Sequence, residues 1–138
     1  MFDLTTVPGL RAAERLRAEV VAWLTTVSPA GQPQTSPVWF LFDGHELVIR
    51  SLDDSLRERN LRENGRVSFH LDSDGEGGEI VVIEGDAVID DAGLTPAESD
   101  AYRSKYDVKL RAYGWTWDGF ERDYPVVIRI APKRVRLA

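Results

Sequence analysis

The chain has 138 residues, and its 17 basic and 23 acidic side chains give a net charge of −6. This length suits one domain with a single core, the 43% hydrophobic content is typical of a folded globular protein, and the acidic balance disfavours general binding to a phosphate backbone. With no Cys and two His, the sequence excludes disulfides, thiolate nucleophiles and Cys-type zinc sites, and it leaves little material for a histidine metal site or a serine–histidine triad.

The first part of the chain predicts a globular and cytoplasmic protein without a membrane anchor. Its N-terminus lacks the basic start and apolar run of a signal peptide. Residues 20–42 carry no charge, but Pro29, Gly31, Pro33 and Pro37 would break a helix within a bilayer. We therefore interpret this stretch as two buried strands joined by a turn.

A helix is predicted over Pro8–Glu19, where apolar residues recur at helical spacing. Residues 19–28 are β-branched and aromatic and predict the first strand, followed by a turn over 29–32. Residues 33–42 predict a second strand. Because proline cannot donate to a ladder, Pro37 indicates a sheet edge, a bulge or a place where another molecule approaches.

The Asp43-Gly44 pair is typical of a hairpin turn and precedes a third strand over 45–51. A second helix is expected over Asp53–Asn64, with Asp53 or Asp54 as its cap and Asn64-Gly65 at its end. Residues 66–72 alternate apolar and polar side chains and predict a fourth strand. A glycine-rich hairpin loop follows over 73–78.

A fifth strand is predicted over Ile80–Ile89, with an interruption at Gly85. Thr95-Pro96-Ala97-Glu98 has the pattern of a capping box and opens a helix that we expect to reach about Tyr106. Residues 107–124 are aromatic and irregular, with a short helix expected near Trp117. The sixth strand is predicted over 125–130, with a continuation over 134–137.

Six strands, three short helices and tight turns predict a single mainly β domain over residues 1–138. Antiparallel strands joined in this way favour a small barrel over a parallel sheet.

Side-chain catalysis finds little support in the sequence. His45 lies beside a turn and His70 on the polar face of a strand, and neither has a partner at metal-ligand spacing. No two carboxylates stand out as a general acid and base. The glycines at 75–78 precede a strand, whereas the dinucleotide fingerprint requires a helix there. We therefore predict no metal site and no catalytic side chain.

Residues 50–66 hold five arginines and four acids. Glu58 and Arg62 stand four residues apart in the favourable order for a helix ion pair. Arg50 ends a strand and Arg57 lies in the first turn of the next helix, so both guanidinium groups and free helix amides could meet one phosphate. A plain solvated surface remains the alternative for both arginines.

Aromatic side chains are concentrated in the C-terminal third, where seven of them lie between Tyr102 and Tyr124. They could fill the core or a dimer interface. They could also line a flat apolar pocket for a ring-shaped ligand.

Five blocks of this sequence resemble a known family: residues 23–40 (WLTTVSPAGQPQTSPVWF), 49–51 (IRS), 55–61 (SLRERNL), 66–72 (RVSFHLD) and 83–87 (IEGDA). They are similar to the flavin and deazaflavin oxidoreductases of the pyridoxamine 5′-phosphate oxidase-like split-barrel superfamily. Within it, they resemble most the small reductases that depend on coenzyme F420.

The resemblance implies a six-stranded split β-barrel that forms a homodimer, with two cofactor sites at the interface. It also implies the cofactor-binding residues. Those expected along the isoalloxazine or deazaflavin ring are Gln34, Thr35, Ser36, Pro37, Val38 and Trp39, those expected at the ribityl phosphate are Arg50, Ser51, Ser55 and Arg57, and Asn60 matches the Asn of the family's Asn-Leu pair. Relatives commonly carry Lys where this chain has Arg57, which keeps the charge but replaces an ammonium with a planar fork.

The resemblance further implies hydride transfer between F420 and an electron-poor small molecule, in which the cofactor carries the chemistry. An FMN-dependent oxidase or reductase would use the same phosphate site and is one alternative. A protein that binds deazaflavin without catalysis is the other. Neither nucleic acid nor a membrane is expected as a partner.

Overall fold

The computed structural model describes residues 2–138, and its centre is one curled antiparallel sheet of seven strands. The strands are β1 (Ala22–Val27), β2 (Pro33–Val38), β3 (Leu41–Phe42), β4 (Leu47–Ser51), β5 (Arg66–His70), β6 (Val81–Ile89) and β7 (Val126–Leu137). Their order across the sheet is β2-β1-β5-β6-β7-β4-β3. This arrangement is a split barrel, as predicted.

Four helices flank the sheet: α1 (Val7–Ala18), α2 (Leu56–Glu63), α3 (Pro96–Ala112) and α4 (Trp117–Asp123). The main core lies between the concave face of the sheet and α1, where Leu16, Leu24 and Phe69 are fully buried. A second cluster joins α3 and α4 to β3, β4 and β7 through Tyr102 and Tyr106. No helix in the described part of the chain is long and apolar enough to span a bilayer.

The predicted second strand is in fact two strands, since Trp39 and Phe40 leave the ladder between β2 and β3. This break raises the strand number from six to seven. The strand β2 pairs only with β1, so Pro37 lies in an edge strand, where its missing N–H disrupts no further pairing.

The start of α2 differs from the prediction. Ser55, not Asp53 or Asp54, is the N-cap, and its hydroxyl accepts a hydrogen bond from the Glu58 amide at 3.1 Å. Asp54 instead has a φ of 53° and donates its amide to the Glu58 carboxylate. The helix therefore begins at Leu56 and ends at Glu63, with Asn64 as its C-cap.

The helix α3 is six residues longer than predicted. Its buried stripe of Tyr102 and Tyr106 continues to Leu110, four residues on, so the packed face does not end at Tyr106. The capping box of Thr95 and Glu98 is present, and the short helix near Trp117 is α4.

The last strand runs unbroken through Pro132 because the sheet is irregular opposite it. The register between β6 and β7 shifts at Glu84/Gly85, and Gly85 faces Pro132 there. A Cβ on Gly85 would lie 2.4 Å from the Ala131 carbonyl oxygen, so only glycine fits this close approach.

A group of ion pairs fastens the N-terminus of α3 to the sheet. Arg129 of β7 donates to Glu98 of α3, to Asp90 and to Glu46, with N–O distances of 2.6–2.8 Å. The hydrogen bonds that Arg129 donates to Glu98 are the main cause that lowers the pKa of Glu98 to about 2. The position of α3 therefore depends on a charged carboxylate.

We expect Glu98→Gln to lower the free energy of unfolding by about 1–2 kcal/mol at pH 7, since a hydrogen bond to a charged group is lost. Because the folded-state pKa lies below the unfolded value, this contribution exists above about pH 4.5 and fades as the pH falls towards 2. Urea unfolding between pH 2.5 and 7 measures the difference. The exposed Glu63→Gln on α2 serves as the control, and a loss that stays constant with pH would contradict the assignment.

Candidate functional site

A cavity of about 430 Å³ lies where the ends of β2 and β4 meet the start of α2 and the segment from the end of α3 to α4. Its lining residues are Val21, Pro37, Val38, Trp39, Arg50, Leu52, Arg57, Tyr113, Trp115, Phe120 and Tyr124. The two arginines are the only charged residues among them, and five of the eleven are aromatic. Such a lining suits a planar ring that carries a negative charge.

Arg57 is the most unusual residue of this cavity. Its Nη1 donates to Ser51 Oγ at 3.0 Å and its Nη2 to Ser36 Oγ at 2.5 Å, while its buried Nε has no hydrogen-bond partner. Among the described residues, no carboxylate lies within 4 Å of the guanidinium. Partial burial of the guanidinium lowers the pKa of Arg57.

A desolvated cation without a counter-ion is costly, and an anion in the cavity would relieve that cost. The hydroxyl groups of Ser36 and Ser51 orient the guanidinium, but neither serine lines the cavity. Arg57, held from behind by the two serines, therefore forms the anion-binding end of the cavity.

Arg50 reaches the same cavity but is held differently. Its Nε donates to the Tyr124 carbonyl at 3.1 Å and its Nη2 to the Glu121 carbonyl at 3.3 Å. These carbonyls lie at the C-terminal end of α4, where a cation is favourable. Arg50 thus fixes α4 as a wall of the cavity, and Arg57 carries the uncompensated charge.

The remaining residues expected at the cofactor fall into two groups. Ser55 caps α2 and lies 3.4 Å, between hydroxyl oxygens, from Ser51, which places it beside the anion-binding end. Gln34, Thr35 and Asn60 do not line the cavity. The buried Asn60 amide donates to Gln34 and Thr26, and Thr35 pairs with Thr25.

Alternation along β2 separates the side chains that face α2 from those that face β1. Successive side chains of a strand point to opposite faces, so Ser36 approaches Arg57 while Thr35 faces Thr25 of β1. Pro37, Val38 and Trp39 follow at the end of the strand and line the cavity. The structure thereby joins this end of β2 to Arg50 and Arg57.

The aromatic C-terminal segment serves both of the roles that the sequence left open. Tyr102 and Tyr106 are fully buried in the second core cluster. Tyr113, Trp115 and Tyr124 instead line the cavity, and 60% of Tyr113 and 46% of Trp115 remain exposed. These aromatic residues come from the same chain as the arginines.

Two apolar lining residues were missed, Val21 and Leu52. Neither belongs to a motif, and the only available signal was the position of Leu52 directly after Arg50-Ser51. Both histidines lie outside the lining: His45 is exposed, and His70 stacks on Trp23 with its Nδ1 3.0 Å from the Leu71 carbonyl.

The sequence model of a family described as pyridoxamine 5′-phosphate oxidase matches residues 11–138. The chain belongs to the pyridoxamine 5′-phosphate oxidase family. The resemblance read from the five sequence blocks is therefore confirmed at the level of the family. No curated protein matches the chain in sequence.

Solved structures share the fold of this family member. General Stress Protein 26 from Bacillus anthracis is 17% identical, with a TM-score of 0.68 over 91% of this chain and 89% of that one. An F420 reductase is 23% identical, with a TM-score of 0.66 over 89% and 94%. HutZ, a heme storage protein from Vibrio cholerae, is 17% identical, with a TM-score of 0.64 over 95% and 93%. At these identities, the similarity extends to the fold alone.

We expect Arg57→Met to leave the free energy of unfolding of the ligand-free protein unchanged within about 0.5 kcal/mol, or to raise it, because the substitution removes a desolvated charge that no carboxylate compensates. Urea unfolding of the ligand-free protein is the measurement. A loss of about 2 kcal/mol or more would instead identify Arg57 as part of the framework of the fold.

Proposed function

We propose that this family member is an F420-dependent oxidoreductase that transfers a hydride between the deazaflavin and an electron-poor small molecule. The observation that carries the proposal is the half-buried guanidinium of Arg57, with its unpartnered Nε and no carboxylate beside it, at one end of an aromatic cavity. The choice of F420 follows the resemblance of the five sequence blocks to F420-dependent reductases, and the fold shared with an F420 reductase is compatible with it.

A phosphate fits the anion-binding end. Arg57 lines the cavity and supplies a planar fork of donors that suits tetrahedral oxyanions, while Ser36 and Ser51 hold that fork in place. The orphaned Nε is a donor that a bound phosphate would satisfy. These residues would hold the cofactor phosphate.

The ring would lie along Pro37, Val38 and Trp39, whose apolar surface the aromatic segment extends. Trp39 contacts Phe120 and Trp115, at centroid distances of 5.5 and 6.2 Å, so the apolar wall is continuous. Such a wall orients a planar ring and excludes water from its reacting face.

When bound, the deazaflavin supplies the hydride chemistry. The chain contributes binding and orientation, since neither a carboxylate nor an imidazole is among the residues that line the cavity. No side chain is assigned as an obligatory acid, and water is the proton donor in this proposal.

The decisive experiment is a titration of the purified protein with oxidised F420 and FMN side by side, in the wild type, Arg57→Met and Arg59→Met. We expect F420 to bind more tightly than FMN, and Arg57→Met to weaken the binding by about ten- to a hundredfold, the range for lost hydrogen bonds to a charged group. Arg59 is the matched control, because it lies on the same helix with 63% of its side chain exposed.

Tighter binding of FMN would move the assignment to the flavin branch. Equal effects of the two arginine variants would place the anion site elsewhere. Binding of F420 without hydride transfer to any electron-poor acceptor would favour the non-catalytic alternative.

We also propose that the protein acts as a homodimer with the cofactor at the interface. Leu52, Tyr113 and Trp115 leave about half of their surface exposed at the cavity, and a second copy over them would bury apolar surface and close the site.

Sedimentation velocity at micromolar protein with cofactor present is therefore expected to show a dimer. We expect Trp115→Glu to weaken that dimer and Val108→Glu to leave it intact, since Val108 is 82% exposed on α3 but lies outside the cavity lining. A monomeric wild type would refute a shared site.

A further inference from the structure

The break between β2 and β3 exposes peptide groups that the ladder would otherwise satisfy, and α3 satisfies them. The Phe40 amide donates to the Tyr106 hydroxyl at 2.8 Å, and that hydroxyl donates to the Val20 carbonyl at 2.6 Å. Lys105 Nζ donates to the Phe40 carbonyl at 2.9 Å. Both peptide groups of Phe40 therefore depend on two adjacent residues of α3.

The same tyrosine supports the indole of Trp39. The two rings stack with a centroid distance of 4.4 Å and an interplanar angle of 8°. The other ring contacts of Trp39, with Phe120 and Trp115, are longer and tilted by 30° and 42°. Tyr106 is the closest and most parallel support of the ring that forms the cavity wall.

Tyr106 itself is fully buried and does not line the cavity, so a ligand there would not touch it. Its hydroxyl fixes the backbone on the C-terminal side of Trp39, and its ring fixes the indole. The hydroxyl accepts from the Phe40 amide, and its proton can go to the Val20 carbonyl at 2.6 Å or the Phe40 carbonyl at 3.1 Å, so this one group bridges Phe40 and Val20.

Burying the Lys105 ammonium at this position costs desolvation free energy. Its ammonium is largely buried and lies 3.8 Å from the centroid of the Phe40 ring. Burial lowers its pKa to about 8, so at pH 7 the group remains charged and donates to Phe40. A buried ammonium is compatible with folding because it satisfies a carbonyl that the strand break leaves free.

We infer that Tyr106 is a positioning residue, which acts with Lys105 to set the plane of Trp39 in the cavity and thereby the affinity for the planar ligand. This inference rests on the proposed function for the identity of the ligand. The positioning of Trp39 itself can be measured in the ligand-free protein.

The test compares Tyr106→Phe with Tyr102→Phe. Tyr102 is a matched control because it is equally buried on the same helix, one turn away, and its hydroxyl has no hydrogen-bond partner. Near-UV circular dichroism reports the coupling of stacked aromatic rings, and Trp39→Phe identifies the band that comes from Trp39.

We expect Tyr106→Phe to reduce that band in the ligand-free protein and to weaken F420 binding at pH 7 by about three- to tenfold, the range of one lost hydrogen bond. Tyr102→Phe should change neither. Lys105→Met leaves both rings in place and should also reduce the band. It replaces Tyr106→Phe as the test variant if Tyr106→Phe does not fold.

Folded Tyr106→Phe with the wild-type band, or with a changed band but unchanged affinity, would overturn the inference. If Lys105→Met is the variant tested, an unchanged band in it would also overturn the inference. A wild type that binds neither F420 nor FMN would refute the proposed function instead, and the band of the ligand-free variants would still decide the positioning of Trp39.

Discussion

The half-buried and uncompensated charge of Arg57 is the constraint around which the site is built. Its guanidinium is held by two serine hydroxyls from different strands, Ser36 from β2 and Ser51 from β4, and no carboxylate lies within ion-pair distance in the described part of the chain. Folding therefore places a cation where partial desolvation costs free energy and no acid offsets that cost. Such an arrangement is typical of binding sites, where stability is lost in exchange for affinity.

Two further cationic side chains, Arg50 and Lys105, position the walls of the same cavity by donating hydrogen bonds to backbone carbonyls. Arg50 holds the end of α4 through Glu121 and Tyr124, and Lys105 holds the break after β2 through Phe40. Irregular backbone at a ligand site leaves carbonyl groups free, and a long cationic side chain can reach them from another element. The aromatic wall is therefore tied to the sheet through hydrogen bonds to its backbone.

Membership of the pyridoxamine 5′-phosphate oxidase family and the split-barrel fold are shown, whereas the cofactor and the reaction are proposals that follow from the cavity. Relatives with this fold include an F420 reductase and a heme storage protein, so the fold alone does not determine the ligand. The proposal of a deazaflavin rests instead on the chemistry of the cavity, which has aromatic walls and two arginines.

The sequence by itself determined most of the strands and the capping box at Thr95, because these depend on local patterns of apolar and polar residues. It left the edge position of Pro37 as one of three possibilities, and the role that it predicts for Arg57 in binding an anion stays a prediction. It misplaced the cap of α2, the break at Trp39 and the end of α3. Tertiary structure decided those, because Ser55, the Phe40 peptide groups and Leu110 find their partners only after packing. It also separated Asn60 and Thr35 from the cavity, since strand alternation and buried amide bonds set which neighbours face a ligand.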